Sequence, residues 1–239
     1  MVIKQGSDHK SRSLWSAFDT IGVIVSLPQS LLEIWQHTSA SAVGTVVVPD
    51  GCRDVILHAL PGQRPAWFVT ELADCSYVVP GIAGKYFLGF RMQPGVQVDE
   101  VRLLVALKGQ IQCAAQDALP VLEDCTRLDP RVRDALHSLS GSASVAAAAR
   151  QLGVSERTLQ RLVHAATGRP PAYWKCLARL RRAAVDLPQA PSLAECAADH
   201  GYTDQAHMTH EFGRWLGRTP VAVLASTDLL EAVAASGYR

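Results

Sequence analysis

The rhythm of apolar and polar positions changes near the middle of the chain. Between residues 21 and 98, short β-branched runs sit between prolines and glycines: Ile21–Val25, Gly44–Val48, Asp54–His58, Trp67–Thr70, Ser76–Val79 and Tyr86–Phe90. Such runs predict strands, and several of them at this spacing predict a β-barrel or sandwich. Leu31-Leu32-Glu33-Ile34-Trp35 breaks the alternation and predicts a short helix instead. The first 20 residues are polar at their start, with Leu14, Trp15 and Phe18 as the expected anchors.

From about residue 99 the period becomes helical. Glu100–Leu107 has helical spacing, Ala118–Glu123 predicts a short helix, and Pro130–Leu139 another, with Asp129 as its N-cap and Pro130 at its first position. Gly141-Ser142 reads as a linker to the last third of the chain. The predicted fold class is α+β. A β-rich domain spans 1–98, a helical coupling or dimerisation segment 99–140, and an all-α domain 141–239.

Two copies of one pattern dominate that last third. Ser144–Ser155 is followed by Glu156–Leu162, and Ser192–Gln205 by Ala206–Phe212. Each reads as a helix, a turn with a glycine, and a second helix with one polar face, the pattern of a helix-turn-helix DNA reader. The turn needs a left-handed backbone, which Gly153 and Gly201 supply. Closely crossing helices need a small residue four positions earlier, where Ala149 and Ala197 stand.

The first unit's core is expected from Val145, Ala148, Leu152, Val154, Leu159 and Leu162, with Ser155 capping the second helix. The second unit's core is expected from Leu193, Cys196, Ala197, Tyr202, Met208 and Phe212, with a turn one residue longer. Between the units, Pro170-Pro171 opens a connector whose stripe is Trp174, Leu177, Leu180, Ala184 and Leu187, ended by Pro188 and Pro191. A helix of roughly 16 residues spans about 24 Å. That length suits two recognition helices about one DNA turn apart, ~34 Å.

Composition adds little that these patterns leave open. The chain has 239 residues and 48% hydrophobic content, ample for a packed core. Its net charge of +1 divides unevenly. Residues 1–130 hold 10 basic against 13 acidic side chains, and residues 131–239 hold 13 against 9. A mildly acidic half and a mildly basic half fit a sensor joined to a nucleic-acid binder. The cysteines at 52, 75, 113, 125, 176 and 196 form no CxxC pair and are read as reduced thiols of a cytoplasmic protein. No signal peptide or membrane span is expected.

Residues 142–224 resemble the DNA-binding domain of the AraC/XylS family of bacterial transcription regulators. The resemblance rests on Leu159–Leu162, the Thr167–Pro171 junction, Arg179–Ala184, Gly201–His207 and Phe212–Pro220. Met208 stands where the family usually has phenylalanine. The resemblance implies base contacts from Arg157, Gln160 and Arg161 on the first recognition helix, and from Gln205, His207, Thr209 and His210 on the second. Arginine suits guanine and glutamine suits adenine. Backbone contacts are expected from Ser155, His164, Arg179, Arg181, Arg182, Thr203, Arg214 and Arg218. For Arg179 the alternative is a brace to a carboxylate. Outward arginines and glutamines on a helix are more often plain solvated surface, and only the motif around them reverses that weighting.

The family often carries a β-rich, commonly cupin-like sensor ahead of the reader. Val48–Ile56 and Leu88–Gly95 resemble segments of an uncharacterised N-terminal domain in a subset of these regulators. Asp50, Cys52, Arg53, Asp54, His58 and Arg91 are candidates to line an effector pocket. On a strand, Cys52, Asp54, Ile56 and His58 would share one face. Arg53 and Arg91 would either hold an anionic effector or pair with Asp50 and Asp54. A metal at Cys52, Asp54 and His58 is disfavoured against a plain solvent face, and no metal or cofactor is expected.

The expected function is sequence-specific transcription regulation without enzymatic activity. Double-stranded DNA is the partner, with a small-molecule effector of open identity. RNA polymerase and a second copy of the chain are further candidate partners. The rival readings are an enzymatic or metal-binding β domain targeted by DNA binding, and a helical protein adaptor.

Overall fold

The computed structural model describes residues 27–108 and 115–239. The strand predicted at Ile21–Val25, the anchors Leu14, Trp15 and Phe18, and Cys113 lie outside the described residues. Eight strands and ten α-helices are present among those described. In chain order they are β1 (Leu31–Thr38), β2 (Thr45–Val47), β3 (Asp54–Ala59), β4 (Ala66–Val69), β5 (Tyr77–Val79), β6 (Tyr86–Met92), β7 (Gln97–Val98), α1 (Glu100–Leu107), α2 (Ala115–Cys125) and β8 (Thr126–Arg127). There follow α3 (Pro130–Gly141), α4 (Val145–Gln151), α5 (Glu156–Thr167), α6 (Pro171–Asp186), a 3-10 turn (Leu187–Gln189), α7 (Leu193–Asp199), α8 (Gln205–Leu216), α9 (Pro220–Leu224) and α10 (Thr227–Ala234).

These elements form two compact units that do not follow the linear boundaries at 98 and 140. Among the described residues, one comprises 27–44, 53–71, 80–108 and 115–128; the other comprises 45–52, 72–79 and 129–239. In the first, β1, β6, β3 and β4 make an antiparallel sheet in that order. Among the described residues the sheet stays open, with β1 and β4 at its edges, so the expected barrel closure is absent. One face carries Ile34, Val55, Leu57, Leu88, Phe90 and Met92, and buries them with Leu103 and Leu107 of α1 and Ala118 and Leu122 of α2.

The predicted helix at Leu31–Trp35 is a strand. A bulge between Leu31 and Glu33 inserts one residue, so Leu31 and Ile34 both point into the core. That three-residue spacing of inward apolar positions imitates a helical period. Across the opposite face, Trp35 lies over Gly89; a Cβ there would fall 2.0 Å from the indole. The indole Nε1–H donates to Asp54 Oδ1 at 2.9 Å. The glycine in β6 is therefore needed for close approach rather than for a turn.

The second unit is helical apart from one short ribbon. Strands β2 and β5 are present as predicted, but they pair with each other outside the four-stranded sheet. Helix α6 runs through the middle of this unit. Its predicted stripe of Trp174, Leu177, Leu180, Ala184 and Leu187 is buried, as are Tyr173, Ala178, Arg181 and Ala183 on its other sides. The segments from the N-terminal half are tied in by hydrogen bonds. Tyr238 N donates to Asp50 O at 2.8 Å, Tyr173 Oη to Ala73 O at 2.9 Å, and Ser76 N to Trp215 O at 2.8 Å. Arg169 donates to Leu72 O at 3.0 Å and pairs with Asp74 at 2.9 Å.

Candidate nucleic-acid interface

Two helix pairs in the second unit are built alike. Helices α4 and α7 have seven residues each, and α5 and α8 twelve each. Serine caps both first helices: Ser144 Oγ accepts from Ala147 N at 3.0 Å and Ser192 Oγ from Glu195 N at 3.1 Å. Both end in the same way. Gly153 has φ 67° and Gly201 φ 69°. Val154 N donates to Ala149 O and Tyr202 N to Ala197 O, at 3.0 and 2.9 Å. Gly153 N donates to Arg150 O and Gly201 N to Ala198 O, at 3.1 and 3.0 Å. This is the Schellman pattern, which satisfies the last carbonyls and turns the chain sharply.

The second helices then start on Ser155, whose Oγ accepts from Thr158 N at 3.1 Å, and on Asp204, whose Oδ1 accepts from His207 N at 2.7 Å. Four residues separate α4 from α5 and five separate α7 from α8, which is the longer second turn expected from the sequence. The predicted core positions are buried or half-buried, with one exception. Val154 is 39% exposed, whereas Tyr202, the residue after the matching glycine, is buried.

Helix α5 buries Leu159 and Val163 and leaves Arg157, Gln160, Arg161 and His164 exposed. Their side chains flank an open groove of about 700 Å³ whose other wall is Pro170 and Pro171. No ion pair among the described residues neutralises Arg157 or Arg161, so both guanidinium groups remain available to acceptors. Helix α8 buries Met208, Phe212, Trp215 and Leu216. Gln205 and His210 are exposed, while His207 and Thr209 are half-buried. Thr209 Oγ1 donates back to Gln205 O at 2.9 Å. Thr203 and Arg218 are exposed, and the exposed Arg214 reaches Glu211 at 3.8 Å.

One connector arginine corrects the expected set of phosphate contacts. Arg181 is 1% exposed and donates to Pro49 O at 3.3 Å and Ala235 O at 2.7 Å. A side chain enclosed in this way has no surface to offer a phosphate. Arg179 is the carboxylate brace: it lies 4.3 Å over the Tyr202 ring, 3.5 Å from Glu211 and 3.3 Å from Gly201 O. Arg182 is half-buried and donates to Ser140 O. All three tie the connector to its neighbours. Periodicity missed this, because a helix buried on every side has no polar face to read.

Sequence reasoning also missed Glu211. It is buried at 7% exposure and stands between Arg179 and Arg214. Its place between Met208 and Phe212 on the inner side of α8 was the available signal. Burial pushes the Tyr202 phenol well above its ordinary range.

Of the six candidate pocket residues, Asp50 and Cys52 belong to one unit and Arg53, Asp54, His58 and Arg91 to the other. Asp50 Oδ1 caps the local turn by accepting from Cys52 N at 2.9 Å, and both residues belong to the helical unit. In the sheet unit Arg53 pairs with Glu100 at 2.6 Å and Glu71 at 3.4 Å, and its Nε donates to Thr70 O. Arg91 pairs with Glu33 at 3.0 Å and Asp54 at 3.3 Å. The Arg91–Asp54 pairing matches the expectation, whereas Arg53 pairs with acids other than Asp50. His58 sits edge-on to Phe68, and burial followed by the Lys85 charge lowers its pKa. Among the described residues no group of three or more His, Cys, Asp or Glu could hold a metal ion. No helix among them is long and apolar enough to cross a membrane.

A double helix-turn-helix domain is thus what residues 144–217 build. A family model described as a helix-turn-helix domain matches residues 148–226. No curated protein matches the chain. Among solved structures, it is similar to the C-terminal domain of AraT, a response regulator from Geobacillus stearothermophilus. That match has 24% identity over 41% of this chain and 87% of the other, with a TM-score of 0.38. The DNA-binding domain of AdpA, a global transcriptional factor solved in complex with a target DNA, is 28% identical over 41% of this chain and 92% of the other, with a TM-score of 0.35. ToxT from Vibrio cholerae is 8% identical over 80% of this chain and 95% of the other, with a TM-score of 0.38. These scores are too low to establish a common overall fold.

Proposed function

We propose that the chain is a sequence-specific DNA-binding transcription regulator whose two helix-turn-helix units read two adjacent stretches of major groove. One observation carries this reading. Two units of equal helix length share the same glycine turn, and each leaves a capped second helix with a polar face in solvent. On α5 that face has two unneutralised arginines and a glutamine, the side chains suited to guanine and adenine edges. Arg157, Gln160 and Arg161 are the proposed base contacts of the first unit, and Gln205, His207, Thr209 and His210 those of the second. Ser155, His164, Thr203, Arg214 and Arg218 are the proposed phosphate-side contacts.

The finer reading adds control by a small molecule bound in the sheet unit. Support comes from the sheet unit's surface, where Phe68 is 37% exposed beside the half-buried His58. The test of DNA reading is selection of duplexes by the full chain, followed by footprinting. Two protected blocks about one helical turn apart are expected. Arg161→Ala should lose about 1–3 kcal/mol of specific binding and relax one position of the first block. Sequence-blind binding by the wild type would overturn the function, and an unchanged Arg161→Ala footprint would overturn the role of that residue.

A further inference from the structure

Helix α8 carries a histidine whose ring is fixed on one side by the turn before it. His207 Nδ1 lies 3.3 Å from the backbone nitrogen of Thr203 and 3.3 Å from Thr203 Oγ1. Its ring stands edge-on to Tyr202, with centroids 5.3 Å apart and planes at 88°. Tyr202 is in turn covered by the Arg179 guanidinium. A backbone N–H can only donate, so His207 Nδ1 is the acceptor. An imidazole nitrogen that accepts carries no proton, and the neutral ring then bears its proton on Nε2.

We propose that His207 is a single-donor reader whose Nε2–H, on the side of the ring far from the turn, donates to a purine N7 in the second DNA block. The inference rests on the DNA-reading function proposed above and assigns this residue its chemistry within it. A donor is rejected by the exocyclic amines of adenine and cytosine and accepted by N7 of either purine, as it also is by guanine O6 and thymine O4. One N–H cannot make the two-point contact that arginine makes to guanine. His207 should therefore not specify a single base, and the N7 contact would tolerate either purine. Thr203 acts through its amide as a positioning residue, and Tyr202, itself covered by Arg179, stands edge-on to the ring.

Two measurements on the full chain test this. Nitrogen-15 ring correlations of labelled histidine, assigned with His207→Gln, should show neutral His207 with its proton on Nε2. Thr203→Ala keeps the amide and should leave that tautomer unchanged. A duplex selected from a random library is then probed with single 7-deazapurine replacements across the second block. One replacement should weaken wild-type binding about tenfold and leave His207→Ala binding unchanged. A proton on Nδ1, or 7-deaza effects that are the same in both proteins, overturns the inference while DNA reading stands. Failure of the wild type to select any duplex overturns both.

Discussion

Arg181 offers a sharp test of structure against sequence, because its position on the connector invites a phosphate role and its burial denies one. Its guanidinium is enclosed at 1% exposure and donates to the carbonyls of Pro49 and Ala235. Each hydrogen bond from a charged donor contributes about 1.5–3 kcal/mol. Arg181→Met keeps much of the aliphatic volume but leaves both carbonyls buried without these donors. Losing both bonds therefore costs about 3–5 kcal/mol. Against the ~5–15 kcal/mol that holds a domain folded, this is a large fraction. The assay is urea unfolding followed by helical circular dichroism, with DNA affinity measured well below the midpoint. The midpoint should fall by the equivalent of about 3–5 kcal/mol with little change in slope, while the salt dependence of DNA binding stays as in the wild type. A variant within about 1 kcal/mol of wild-type stability whose salt slope drops by about one would refute the burial argument and restore Arg181 as a phosphate contact.

Other consequences can be checked more briefly. A Cβ on Gly153 or Gly201 meets nothing within 4 Å, so Gly201→Ala should cost only the left-handed backbone penalty, about 1–2 kcal/mol, with Gly201→Asn costing less. Equal losses for alanine and asparagine would contradict this. Arg179→Met should weaken protection of the second DNA block while the first keeps its pattern, because the brace touches Tyr202, Glu211 and the second turn. Loss of both blocks together would mean that the connector fails as a whole. His58 has a lowered pKa in the folded chain, so the unfolded chain binds the proton more readily. Its contribution to stability is complete above the ordinary imidazole range, about pH 6.5, and is lost as pH falls through the lowered value. His58→Gln should flatten the urea midpoint across that acid window, and an unchanged pH profile would show that His58 is not responsible.

Much of the candidate interface could be read from the chain because it is made of local rules. Glycine at the C′ position, serine or aspartate at the N-cap and apolar residues at helical spacing act within a few residues of one another. The two units, their unequal turns and the buried stripe of α6 follow from those rules. So does the exposure of Arg157, Gln160 and Arg161, since a helix with one apolar stripe must present its other side to water.

Where one sequence signal has two causes, only the tertiary structure separates them. Leu31 and Ile34 look helical because a bulge against Met92 and Arg91 shifts the alternation, and the pairing partner lies some sixty residues away. Arg181 looks like an outward arginine until Pro49 and Ala235 close over it. Strands β2 and β5 carry the same β-branched signal as β3 and β6, yet they leave the sheet and join the helical unit. By itself the sequence determined the local elements and the two reading helices. The tertiary structure decided which charges are buried, which strands share a sheet and which nitrogen of His207 accepts, because those outcomes depend on partners far along the chain or on a turn's exact closure in space.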